Sequence, residues 1–267
     1  MVPKATPTDR RPEVDGYLLR LFTHQAFKLP FFCSQDDLMI THLLTAATTI
    51  GRLLTFRLTR EEILEFGPVH FIAGLLCTLL VGIGRTLHNT RVEWWQHLGL
   101  GSVAYVFVLS LLLWLLLWPL RVADLSYRRV LTFVALTAPT GIIYAIPVES
   151  FFTVHEASGM RELFLFVVAS WRVALWFYFL ICFCRLPLFS TLVVAVLPLC
   201  GIVHVLMILN LDRIVFEFMM GIPNPSSDDG SSFLLWIATG LATLAMGPLS
   251  LSYLVLVSFA CLRPKKT

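Results

Sequence analysis

The sequence predicts an all-α, polytopic membrane helix bundle of about six transmembrane helices. Both termini are expected on the cytoplasmic side, with an amphipathic interfacial helix ahead of the bundle. Three observations predict it. Of the 267 residues, 57% are hydrophobic and 14% charged, where soluble domains carry roughly a quarter charged residues. Mean hydropathy is +0.80. Apolar runs near the ~20 residues a helix needs to cross a bilayer recur from residue 67 onward. This balance excludes a soluble globule, a disordered chain and a disulfide-stapled secreted domain. The net charge of +3 is too small for a nucleic-acid-binding module.

The first element is a cytoplasmic segment, 1–66. Its opening fifteen residues hold no apolar h-region, so no cleavable signal peptide is expected. Over 38–56, apolar residues recur at 39/40, 43, 46/47, 50 and 53/54, one face of a helix. Thr41, Thr45, Thr48 and Arg52 take the other face. Ser34 with Asp37 resembles a capping box at its start, and Thr59 with Glu62 repeats the signature. Such a moment predicts a helix lying in the interface. The rival, a seventh span, would put His42 and Arg52 in hydrocarbon.

The bundle follows, with spans expected at 67–84, 98–120, 130–148, 163–183, 188–209 and 233–262. The first is the weakest, with a short apolar core and three glycines. Residues 221–232 (GIPNPSSDDGSS) read as a solvated turn, and 263–267 as a basic cytoplasmic tail. With the N-terminus inside, fifteen Lys and Arg fall on the cytoplasmic side and four outside, leaving Arg172 in the membrane. Pro139, Pro198 and Pro248 lie near mid-span, and each frees a carbonyl that lipid cannot satisfy. Thr137, Gly141 and Ala145 form a small-residue face on the third span, as do Thr239, Thr243 and Gly247 on the sixth.

The candidate ligand-binding residues are Arg172, Glu149 and His204, all expected in the outer half of the membrane. A central arginine costs about 2.5–3.5 kcal/mol on insertion scales, so it needs a partner. Glu149 is the acid best placed to pair with it, from the end of the neighbouring third span. The same guanidinium is the natural clamp for a lipid phosphate or carboxylate. His204 on an apolar helix reads first as a side chain hydrogen-bonded to a carbonyl, and second as a member of this cluster. No metal site is expected: Cys182 and Cys184, two residues apart on a helix, point about 200° apart. No nucleophile elbow, phosphate loop or protease motif occurs, so neither an enzyme nor a cofactor is expected.

The order of parts, with GIGRTLHN (82–89), LGLGSVAYVFVLSLLLWLLLWPLR (98–121) and YRRVLTFVALTAPTGIIYAIPVE (127–149), resembles the Yip1-type membrane proteins and their uncharacterised bacterial relatives. The resemblance implies a cytoplasmic N-terminal segment followed by a compact membrane bundle. It carries over no functional residue. The function expected is that of a non-enzymatic membrane-organising or accessory protein of the bacterial cytoplasmic (inner) membrane. Its expected partners are the lipid bilayer, copies of itself or other membrane proteins, and no nucleic acid. The alternative is a small permease or lipid-handling protein using the Arg172 cluster.

Overall fold

The computed structural model describes residues 35–86, 99–146, 153–209 and 229–262. Contacts divide the chain into Met1–His42 and Leu43–Thr267, and the second unit holds the bundle. Among the described residues the secondary structure is helical, without a strand. In order come α1 (Gln35–Leu54), α2 (Arg60–Leu64), α3 (Pro68–Thr86) and α4 (Leu100–Leu117). Then follow α5 (Tyr127–Leu136), α6 (Val154–Cys182), α7 (Leu188–Ile208) and α8 (Asp229–Leu262). Two 3-10 stretches, Trp118–Leu120 and Ala138–Ala145, continue α4 and α5.

Among the described residues four helices are long and apolar enough to cross a membrane: Leu100–Leu120, Gly159–Cys182, Leu188–Ile208 and Thr239–Leu262. Pro68–Gly84 is apolar but shorter. Neither α1 nor the expected third span joins the four.

That third span, read from the sequence as one helix over 130–148, is broken. It runs as α5 to Leu136 and then tightens into the 3-10 stretch. Pro139 removes a donor and clashes with the preceding turn, which favours a break here. The threonines on either side of it bond to carbonyls beside the break. Thr137 Oγ1 donates to the Val134 carbonyl at 2.7 Å, and Thr140 Oγ1 to that of Thr137 at 2.8 Å. Residues 130–138 are buried without exception, packed among α3, α4 and α6. Irregular backbone at membrane depth is tolerated where protein encloses it. By contrast, Pro198 and Pro248 sit inside continuous helices.

Close approach explains the glycines of α3. A Cβ on Gly74 would lie 2.9 Å from the Ala135 carbonyl carbon, and one on Gly82 would lie 2.8 Å from the Gly99 Cα. Gly99 starts α4 with a φ of 68°, a conformation glycine adopts without strain. The small-residue face of the third span is used the same way, since a Cβ on Gly141 would lie 2.7 Å from Val81 Cγ1 of α3. The face expected on the sixth span is used only in part. Thr239 is buried, while Gly247 meets open space.

The segment expected to lie in the interface packs onto the bundle from its second half onward. Leu53, Leu58 and Ile63 are fully buried in the core with Leu117, Val130 and Phe179, while Leu44 stays exposed. The helix α1 closes in a Schellman turn: Phe56 N–H donates to the Leu53 carbonyl at 3.0 Å, and Arg57 N–H to that of Arg52 at 2.8 Å. Phe56 holds the left-handed position at a φ of 57°, where glycine is usual. Its ring instead stacks on Trp171 and meets Tyr178 edge-on, at centroid distances of 6.5 and 5.7 Å.

Candidate functional site

The long helix α6 presents different chemistry on different faces, because side chains return to one face every three or four residues. Arg172 and Trp176 lie towards α5 and its 3-10 continuation. Arg172 Nε donates to Thr140 Oγ1 at 3.1 Å, and its Nη2 would lie 3.4 Å from a Cβ on Gly141. Arg172, within one of the four helices long and apolar enough to cross a membrane, is therefore seated on the break in the third segment. Trp176 stands beside it in a buried aromatic column with Phe133, Phe179 and Phe183.

Glu149, the expected partner of Arg172, lies outside the described residues. So do Ser34 of the first capping box and the turn 221–228. His204 is half-buried on α7, and its buried Nδ1 makes no hydrogen bond within the described protein. Among the described residues no hydrogen bond or ion pair joins His204 to Arg172. Among the described residues, Thr140 and Gly141 lie against Arg172.

A second face of α6 clamps the non-helical stretch after α1. Trp171 Nε1 donates to the Leu54 carbonyl at 3.2 Å, Tyr178 Oη to the Leu58 carbonyl at 2.6 Å, and Cys182 Sγ to that same carbonyl at 3.8 Å. Trp171 thus satisfies a carbonyl that the end of α1 leaves without a helical partner, and Tyr178 and Cys182 satisfy one in the stretch beyond it. Beside the clamp, Arg52 pairs with Glu62, and the Thr59–Glu62 capping box read from the sequence is complete. Hydrogen bonds from Thr59, and then the Arg52 charge, hold the Glu62 carboxyl below its usual range. Arg60 pairs with Asp124 at 3.1 Å, tying α2 to the α4–α5 turn, and Arg129 donates to the Asp124 carbonyl. Sequence reasoning found only the capping box here, because the other contacts join residues far apart in the chain.

A third face carries an apolar groove of about 730 Å³, lined by Phe166, Ser170, Val173, Ala174 and Phe177 with Leu199 of α7. The intervals along α6 place it away from Arg172. Among the described residues no group of His, Cys, Asp and Glu is placed to hold a metal. Burial pushes the Cys184 thiol up to about 12, against the opposing charge of Arg60, so it stays protonated at neutral pH. No protein family, curated protein or solved structure matches the chain.

Proposed function

We propose that this integral membrane protein is a non-enzymatic organising or accessory protein that works through contacts with lipid and with other membrane proteins, including copies of itself. The observation that carries the reading is how closely α3 packs on the third segment, where Arg172 is seated. Thr140 takes its Nε, while Gly74 and Gly141 leave no room for a single Cβ between α3 and the third segment. A substrate path would need space where these helices touch. The groove, in contrast, is apolar and lies on the face of α6 turned away from Arg172. Arg172 then acts as a strut for the break at Pro139. The arginine bias supports a cytoplasmic placement of the α2, α4–α5 and α6–α7 turns, and with it an inner-membrane location.

The test is native mass spectrometry of the full chain in mild detergent, wild type against Arg172→Gln. A protein partner or a discrete homo-oligomer, kept in both forms, is the expected result. A small molecule held by the wild type and lost in the variant would replace this reading with the permease or lipid-handling one.

A further inference from the structure

The turns that follow α1, α4 and α6 lie at one end of the bundle, joined by the Arg60–Asp124 pair and by Tyr178 on Leu58. Among the described residues this end carries its positive charge on arginine: every cation between Lys28 and Lys265 is an arginine, and lysine occurs only in the flanking segments. Topology does not require that, since lysine serves the positive-inside bias equally well. Nor does local structure use all of them. Arg52, Arg60 and Arg129 are engaged within the protein. Arg57, Arg121, Arg128 and Arg185 are exposed, and among the described residues their side chains make no ion pair or hydrogen bond. The acids described in the turns of this end are Glu61, Glu62, Glu65 and Asp124, and Glu62 and Asp124 are already paired.

The surroundings of two of these arginines are informative. Arg121 and Arg185 both take a φ of 51°, the first directly after a 3-10 turn and the second two residues past the cap of α6. Close to Arg121 stands Trp118, 65% exposed and stacked on Trp114. Close to Arg185 stand Leu188 and Phe189, 73% and 63% exposed. A guanidinium beside a bare apolar side chain suits the boundary of a bilayer, where the ring or alkyl group meets acyl chains and the cation meets phosphate. Arginine also offers a planar fork that binds two phosphate oxygens at once, which the ammonium of lysine does not.

We infer that Arg57, Arg121, Arg128 and Arg185 form a binding surface for the phosphodiester headgroups of anionic phospholipids in the leaflet at this end. The inference deepens the accessory-protein reading, on which it rests, by naming one of its lipid partners. The surface is open and superficial, so it selects headgroup charge and phosphate geometry rather than one acyl chain.

The test places the full chain in nanodiscs of phosphatidylcholine with increasing phosphatidylglycerol, and counts retained lipids by native mass spectrometry. The wild type should retain phosphatidylglycerol preferentially. Affinity should fall roughly fivefold for each arginine removed, so the Arg121→Gln/Arg185→Gln form should lose most of the preference. The Arg121→Lys/Arg185→Lys form keeps the charge and should still fall several-fold short. Both variants should melt like the wild type, because the substituted side chains are exposed. Equal retention of the two lipids, an unchanged lysine form, or full displacement of the lipid by excess inorganic phosphate would each overturn the inference. No lipid preference with a protein partner still retained would sink this inference alone. The small molecule lost on Arg172→Gln would sink the reading beneath it.

Discussion

Two helices of this protein treat their backbones in opposite ways. α5 is enclosed on all sides and breaks at Leu136, while α8 runs unbroken from Asp229 to Leu262 past Pro248 with much of its apolar surface bare. Hydropathy alone ranks both as spans. The difference lies in what each carbonyl can find. Facing lipid, an unpaired carbonyl costs several kcal/mol, so a regular helix is the stable answer. Inside the bundle the Thr137 and Thr140 hydroxyls bond to carbonyls beside the break and Arg172 bonds to Thr140 Oγ1, so a break becomes cheap. Enclosure therefore permits irregularity, and irregularity in turn gives Arg172 a seat.

The strongest way to break this comparison is to force the enclosed helices apart. Gly74→Ala would put a Cβ 2.9 Å from the Ala135 backbone, and neither helix can yield without shifting its whole packing face. Overpacking of this kind costs about 1–3 kcal/mol. Gly247→Ala on α8 meets nothing within 4 Å and should be neutral, or stabilising by up to about 1 kcal/mol, from the better helix propensity of alanine. Thermal unfolding of the two variants in one detergent checks this. Similar losses in both would mean that α3 and α5 are not packed as described.

Much of this was legible in the sequence, for reasons that differ by element. The spans of α4, α6, α7 and α8 are long apolar runs, and length with hydropathy is all that a helix in lipid requires. The Thr59–Glu62 box is a local pattern between residues three apart, so it too could be read directly. The break after α5 could not. Pro139, Pro198 and Pro248 look alike in sequence, and only the neighbours of Pro139, brought together by folding, decide which of the three interrupts its helix. The contact of Arg172 with Thr140 was likewise beyond reach, because Thr140 is an ordinary residue until a helix break turns its hydroxyl towards α6. The docking of 50–66 on the bundle was hidden for the same reason. An amphipathic stripe states that a face will be buried, not whether membrane or protein will bury it.

A gentler probe sharpens the α8 side of the comparison. The helix α4 tightens into the 3-10 turn Trp118–Leu120, and the Leu116 carbonyl in its last turn accepts the hydroxyl of Tyr253 of α8 at 2.7 Å. Tyr253→Phe keeps the ring and removes only that donor. A loss of about 1 kcal/mol is expected, read as a lower melting temperature with the fold unchanged. A neutral result would show that α8 is held to α4 by apolar contact alone.

The smallest effect concerns the solvated rim of the enclosed region, where Glu62 accepts from Thr59 and pairs with Arg52. Its carboxyl is held below the usual range chiefly by the hydrogen bond from the Thr59 backbone. The folded protein therefore binds this proton less readily than the unfolded chain does. The stabilisation is fully present above the unfolded value, near pH 4.3 for glutamate, and drains away as pH falls through the lower folded value. Pairs this close to water contribute less than about 1 kcal/mol, so the signal lies in its pH dependence more than in its size. Wild type should melt slightly above Glu62→Gln at pH 7, and the gap should close in acid. Tyr253→Phe supplies the internal reference, since its deficit against wild type involves no titrating carboxylate and should persist across the same range. A gap for Glu62→Gln that survived full protonation of the carboxylate would assign the contribution to shape and the neutral hydrogen bond. The charge of Arg52 would then be irrelevant to how the end of α1 is held against α6.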